Sequence, residues 1–414
     1  MGIKLDTLFF PERGRKSMKK AFILALLWLL CACSSAQQGQ GNGNEEGGGP
    51  ILPGIHTFID QLDALDGKAV AVMANHTSQI NGVHLVDTLL SRRVDIKAIF
   101  APEHGFRGEL ADGARVDDTK DPLSGLAIFS LYGSKKKPSP AQLEGVELLV
   151  FDIQDVGARF YTYISSLHYI MEACAEMGIP LAVLDRPNPH IHYIDGPVLD
   201  TGFSSFVGMH PVPVVYGMSI GEYAQMINGE GWLEGGLSCE LTVYPCSGYG
   251  RDSVYELPVP PSPNLPDMDA VYWYPSLCFF EGTRVSVGRG TDRPFTMLGS
   301  PTYPEGDTSF VPRAIKGVSD YPPQEGKICK GYALTTFAGR PPHALDLSWL
   351  WRMYEKDRER DSFFLKSNFI DKLAGGDHLR RALLEGKTEA WYRESWQDDL
   401  KRFEKMRQPY LIYR

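Results

Sequence analysis

A carboxyl, an imidazole and a guanidinium stand close together in Pro102–Glu103–His104–Gly105–Phe106–Arg107–Gly108, directly after the apolar run Ile96–Ala101. A glutamate in such a place suits general acid catalysis, because partial burial or a neighbouring carboxylate raises its pKa toward neutrality. Glu103 is the first choice for the proton donor. A helix cap or a pair with Arg107 is the structural alternative, and Glu109 is a weaker competitor further into the loop. Two further apolar runs end in the same way. Leu148–Val150 leads to Asp152, Gln154, Asp155, Arg159 and Tyr161, and Leu181–Leu184 leads to Asp185, Arg186 and Asn188, with Pro187 holding Arg186 extended. Unpaired buried charge is costly, so some of these carboxylates are expected to meet Arg159 or another cation. The others would shape a polar pocket and supply a second carboxyl, with Asp152 or Asp185 acting beside Glu103 and Asp155 or Glu281 as alternatives. His76 and His104 would orient Glu103 or bind substrate hydroxyls. Arg289, Thr291 and Arg293, in the polar loop Ser286–Phe295, match an anionic or acyl substituent, since guanidinium pairs well with a planar carboxylate.

These residues need an open α/β sheet to bring them together. Buried strands that spill turn-prone polar residues at their carboxyl ends describe a parallel sheet with its ligand crevice on that edge. Strands are expected at Lys68–Ala74, Ile96–Ala101, Leu126–Leu131, Val146–Asp152 and Pro180–Asp185, with helices at Val83–Leu90 and Tyr163–Met177 between them. Ser219 and Glu222 have the spacing of a capping box for a helix over Ser219–Gly229, which gives Glu222 a structural role. A glycine-rich join near 230–236 divides a first domain, 51–235, from a second, 236–414, that lines the cleft. The second contains a strand at Leu237–Val243, helices at Leu347–Lys356, Phe369–Ala374, His378–Leu384 and Lys387–Met406, and a terminal edge strand at Tyr410–Tyr413.

Composition narrows the chemistry. The 414-residue chain is 43% hydrophobic and carries a net charge of -9, which gives no support to nucleic-acid binding. No Gly-x-Gly-x-x-Gly or Walker glycine loop follows the first strand, and the seven cysteines form no compact metal motif. No cofactor is expected. Cys239 and Cys246 are near enough in sequence to pair, but free thiols are the simpler expectation. Lys19–Lys20, the apolar run Ala21–Leu30 and Cys31–Ala32–Cys33 read as an export signal, residues 1–33, with lipidation at Cys33. Translation starting at Met18 would suit it better than Met1. Residues 34–50 form a flexible tether. The expected location is the cell envelope, lipid-anchored to the outer membrane and facing the periplasm or the exterior.

Several ordered motifs are similar to those of one bacterial family. They are Asn75–His76–Thr77–Ser78, the Pro-Glu-His-Gly-Phe-Arg-Gly segment at 102–108, Phe151–Asp152–Ile153–Gln154–Asp155 with its continuation to Tyr163, and Leu184–Asp185–Arg186–Pro187–Asn188–Pro189. Glu281–Gly282–Thr283 and Gly288–Arg289–Gly290–Thr291 also fit. Together they resemble the exo-acting β-N-acetylmuramidases, long catalogued as a domain of unknown function. The resemblance implies a Rossmann-like domain with a smaller mixed α+β domain, a catalytic glutamate at Glu103, and release of terminal N-acetylmuramic acid from peptidoglycan fragments. Muramic-acid-terminated saccharides or muropeptides would be the partners. A covalent, an inverting and an acetamido-assisted route all remain open at this point. The rival readings are a non-catalytic sugar-binding lipoprotein and a metal-dependent cell-wall hydrolase or amidase.

Overall fold

A computed structural model describes residues 49–65, 67–103, 105–107 and 118–414. The export segment with Cys33, the tether up to residue 48, His104 and Glu109 lie outside the described residues. Twelve strands are described: β1 (Ala69–Ala74), β2 (Gln79–Ile80), β3 (Val83–His84), β4 (Asp95–Ala101), β5 (Thr119–Lys120), β6 (Ala127–Ser130), β7 (Leu148–Asp152), β8 (Leu181–Leu184), β9 (Leu241–Tyr244), β10 (Met297–Ser300), β11 (Thr308–Phe310) and β12 (Cys329–Ala333). Seven form one sheet in the order β5-β6-β4-β1-β7-β8-β9, parallel except for the short antiparallel pair β5–β6. With β5 set aside, the chain enters at the middle strand, winds outward over β4 and β6, then crosses to β7, β8 and β9. This is the doubly wound order, whose crevice opens beyond the carboxyl ends of the strands where the winding reverses.

The strands read as continuous apolar runs because both faces of the sheet are covered. Alternate residues enter different cores. Val70, Val72 and Ala74 pack with helices α1 (Ile55–Asp60) and α2 (Leu85–Ser91), whereas Ala71 and Met73 pack with α3 (Tyr163–Met177) and α4 (Ile220–Gly229). Helix α3 spans the residues its periodicity predicts and stops at Gly178 in the left-handed conformation. Helix α4 starts with the expected capping box between Ser219 and Glu222. The helix expected at Val83–Leu90 begins two residues later, since Val83 and His84 pair with β2.

The smaller carboxyl-terminal part combines the antiparallel sheet β10-β12-β11 with α5 (Met268–Leu277) and a run of short helices. Strand β9 pairs with β8, so the large sheet continues past residue 235. The single helix expected at Lys387–Met406 is two, Glu389–Glu394 and Gln397–Arg407. Trp391 of its expected packing stripe is half exposed, while Trp396, Leu400 and Phe403 are buried. The terminal edge strand does not form. Instead the backbone N–H groups of Ile412 and Tyr413 donate to the Glu222 carboxylate at 2.7 and 3.1 Å, and Arg251 donates to both oxygens of the same group. A carboxylate buried at a helix start takes the amides that a neighbouring strand would otherwise take. The five described cysteines, Cys239 and Cys246 among them, are free thiols.

Candidate active site

Polar residues at the strand ends have two fates. After β1, Asn75 Oδ1 accepts from the Thr77 N–H and Oγ1, its Nδ2 donates to the Tyr163 hydroxyl, and Ser78 Oγ donates to the Asp152 carbonyl. Thr77 Oγ1 accepts the Gln154 N–H at 3.0 Å. The turn therefore ties the ends of β1 and β7 together. Asp152 is sealed in a two-toothed ion pair: Arg186 Nε and Nη2 donate to its two oxygens at 2.5 and 2.9 Å. Asp185 accepts from Ser219 Oγ, the Tyr413 hydroxyl and the Gly221 N–H at 2.5–2.8 Å, and thus holds the chain end against α4. Burial raises its carboxyl to about 6, against the pull of those donors. Asp155, raised to about 6 by burial as well, accepts from the Gly157 N–H and the Tyr216 hydroxyl.

The cation expected for these carboxylates, Arg159 or another, is Arg186 on Asp152. The Arg159 guanidinium is buried and donates to three carbonyls, of Pro197, Val212 and Leu373, at 2.7–2.8 Å. Gln154 Nε2 donates to the carbonyls of Asp155 and Pro187. Asn188 bonds the Met218 carbonyl and the His190 N–H, and it fills the space beside Gly157, where an added Cβ would come within 2.1 Å of Asn188 Oδ1. Arg107 clamps Asp87 and Asp121 through four bonds of 3.0–3.2 Å. Burial lifts the Asp121 carboxyl, but the bonds from Arg107 and Ser124 outweigh it and hold it near 2. Thr291 closes its own turn by donating to the Gly288 carbonyl. His76 Nε2 meets the Pro260 carbonyl at 2.8 Å. None of these predicted site residues lines the cleft that Glu103 enters, and Arg293 lines a separate cavity with Asp267, Asp269 and Asp292.

The cleft has a volume of about 400 Å³ and is lined from both parts of the chain. Glu103 comes from the end of β4, Tyr132 from beyond β6, and Phe160–Tyr163 from the passage between β7 and α3. Ser262, Asn264, Tyr274, Glu281, Arg289 and Phe295 come from the second half. Four predicted residues therefore meet: Glu103, Tyr161, Glu281 and Arg289. Thr162 Oγ1 lies 3.4 Å from Glu103 Oε2, and the Tyr132 hydroxyl hydrogen-bonds the same carboxylate. Burial, with the charge of Glu103 behind it, raises the Tyr132 phenol above its ordinary range. Glu281 sits on the tight turn that follows α5, and Arg289 Nε donates to its Oε1 at 2.6 Å. Burial and then the Glu103 charge raise the Glu281 carboxyl to about 7, while the Cys278 thiol that donates to its Oε2 opposes the rise. Burial lowers Arg289 to about 10, so it stays cationic at neutral pH. Aromatic rings wall the site, with Tyr274 edge-on to Phe160, Tyr161 and Phe295, and Arg289 over Phe295 at 5.1 Å. Carboxyls whose charges oppose one another within an aromatic wall can hold a proton near neutrality and steady a developing cation.

The same architecture occurs in proteins already described. Residues 70–269 match the amino-terminal, and 272–413 the carboxyl-terminal, family model of exo-β-N-acetylmuramidase NamZ. The chain belongs to this family. It is 35% identical over 386 residues to peptidoglycan β-N-acetylmuramidase NamZ of Bacillus subtilis (strain 168), covering 88% of this chain and 91% of that one. Crystal structures of two DUF1343 family proteins from Bacteroides fragilis NCTC 9343 superpose with TM-scores of 0.80 and 0.77, at 41% and 28% identity. Each comparison covers 88% of this chain and 99% of the other. Family membership supports glycoside-hydrolase chemistry on peptidoglycan-derived sugars.

Tyr132 and Thr162 line the cleft without having been among the expected site residues. Tyr132 follows Leu131 at the end of a fourth strand with the same spill of polar residues, and Thr162 stands inside the 151–163 motif, so both carried a signal. Ser262 and Asn264 carried none, because a proline-dense connection gives no period from which to place a side chain. Among the described residues no group of three metal-ligating side chains converges, and no helix is long and apolar enough to cross a membrane.

Proposed function

We propose that the protein is an exo-acting glycosidase that cleaves the β-1,4 bond of peptidoglycan fragments and releases N-acetylmuramic acid from their non-reducing end. The observation that carries this reading is the placement of Glu103 and Glu281 in one aromatic-walled cleft, close enough that the charge of one raises the pKa of the other. The cleft, at about 400 Å³, falls at the small end of ligand pockets, as an enzyme gripping one terminal sugar requires. Glu103 donates a proton to the glycosidic oxygen as the bond from C1 breaks. Glu281, ionised and held by Arg289, faces the oxocarbenium-like centre, and water adds to C1 while giving up a proton to the ionised carboxylate pair, which restores the acid and completes hydrolysis. Arg289 is the one cation among the described lining residues, which makes it the partner for the lactyl carboxylate of muramic acid. The protein would work in the cell envelope, anchored through a lipid on Cys33.

The raised pKa of Glu281 favours a second version in which the two carboxyls exchange roles. An activated dinitrophenyl muramide separates them, because its leaving group departs without a proton. Glu103→Gln should lose disaccharide hydrolysis yet keep turnover of the activated glycoside. If Glu281→Gln behaves so instead, the roles are exchanged. Undiminished disaccharide hydrolysis in both variants would leave a sugar-binding protein without this chemistry.

A further inference from the structure

The described residues leave nine large apolar side chains well exposed, and only one of them, Tyr321, lines the active-site cleft. It is 92% exposed, the most of the nine. Such a ring gains by burial only when something else covers it, and an aromatic face at the mouth of a sugar cleft is suited to the C–H face of a pyranose.

Its backbone is fixed in advance. Pro322 follows and restricts Tyr321 to extended conformations. The segment is tied on three sides: Asn264 Nδ2 donates to the Val318 carbonyl at 2.8 Å, the Arg313 N–H to the Gly290 carbonyl at 2.9 Å, and Gln324 Nε2 to the Arg284 carbonyl at 2.7 Å. Pro322 also packs on the glycine next to Arg289. A Cβ added at Gly290, whose φ is +77°, would lie 2.7 Å from Pro322. The loop that carries Tyr321 is thus seated on the loop that carries Arg289. A platform with its backbone already ordered loses little entropy when a ligand docks.

Resting on the glycosidase reading above, we propose that Tyr321 is the stacking platform for the sugar on the leaving-group side of the scissile bond. The occupant follows from position. The terminal sugar must sit inside, against Glu103 and Glu281, so the next ring of the chain is the one that emerges at the mouth. Neighbouring Asp320 and Ser319 line the same rim and offer acceptors to its hydroxyls.

The test compares a muramyl-glucosamine disaccharide with N-acetylmuramyl fluoride, a substrate with no second sugar. Tyr321→Ala should lower kcat/KM on the disaccharide by about tenfold, mainly through KM, which matches a ring-stacking contribution of this size. It should leave the fluoride unchanged, and Tyr321→Phe should restore the disaccharide to within about twofold. Because the ring is exposed, the variants should melt as the parent does. Equal losses on both substrates, or no loss on either, would overturn the proposal. A parent protein that turns over neither substrate would overturn the glycosidase reading instead.

Discussion

The polar cluster after β4 and those after β7 and β8 share one sequence grammar and differ in what they face. Asp152 and Asp185 are closed off within the amino-terminal half and by the chain end, each with its charge or hydrogen bonds accounted for by protein groups. Glu103 reaches a cleft shared with the second half, where its neighbours are Tyr132, Thr162 and the charges of Glu281 and Arg289. Strand-end carboxylates can therefore serve as rivets or as reagents. The distinction lies in whether a fully engaging partner, such as the Arg186 fork, is already within reach.

The two kinds of carboxylate differ most in effect at Glu103. Glu103→Gln should lower kcat on a muramyl disaccharide by roughly 10²–10⁴-fold, the span of general acid catalysis, with binding by calorimetry and the melting temperature retained. Asp152→Asn should do the reverse. Weakening the partner of a buried guanidinium should cost about 3–5 kcal/mol in denaturant unfolding, while the fraction still folded keeps kcat/KM within a few-fold. If that variant melts like the parent and is inert, Asp152 belongs to the reagents. Tyr132→Phe sharpens the contrast at smaller scale. Loss of one hydrogen bond to Glu103, worth about 0.5–1.5 kcal/mol, should lower kcat about three- to tenfold without moving the melting temperature.

A separate contrast concerns pH. Asp155 and Asp185, raised to about 6, keep protons in the folded chain that the unfolded chain releases near 4. Between those values the folded state binds more protons, so this part of stability declines as pH rises from about 4 to 6 and is fully lost above that window. Asp155→Asn removes one such group. Its stability relative to the parent should improve between pH 4 and pH 7 in urea titrations, and a flat difference would remove Asp155 from this account.

Much of the fold was legible because it repeats. Runs of apolar residues as long as a strand, divided by a helix-period segment such as Tyr163–Met177, admit few arrangements other than a parallel sheet covered on both faces. Ser219 and Glu222 announced a helix start through a spacing that works locally. The terminal segment misled because its pattern of Tyr410–Leu411–Ile412–Tyr413 suits a strand, while its amide donors found a carboxylate 190 residues distant in the chain. Of the cations open to these carboxylates Arg186 took Asp152, and Arg159 went to three carbonyls, which can satisfy a buried guanidinium as well as a carboxylate can.

By itself the sequence determined the parallel sheet, the positions of most of its strands and helices, and the candidacy of Glu103, because periodicity and strand-end chemistry act over a few residues. Only the tertiary structure decided which carboxylates are spent on one another and which face open space. It set Arg186 against Asp152, brought Glu281 and Arg289 to the cleft that Glu103 enters, and left Tyr321 bare at the rim. The physical reason is that charge pairing and exposure depend on distance through space, and residues far apart in the chain become neighbours only once both halves have packed.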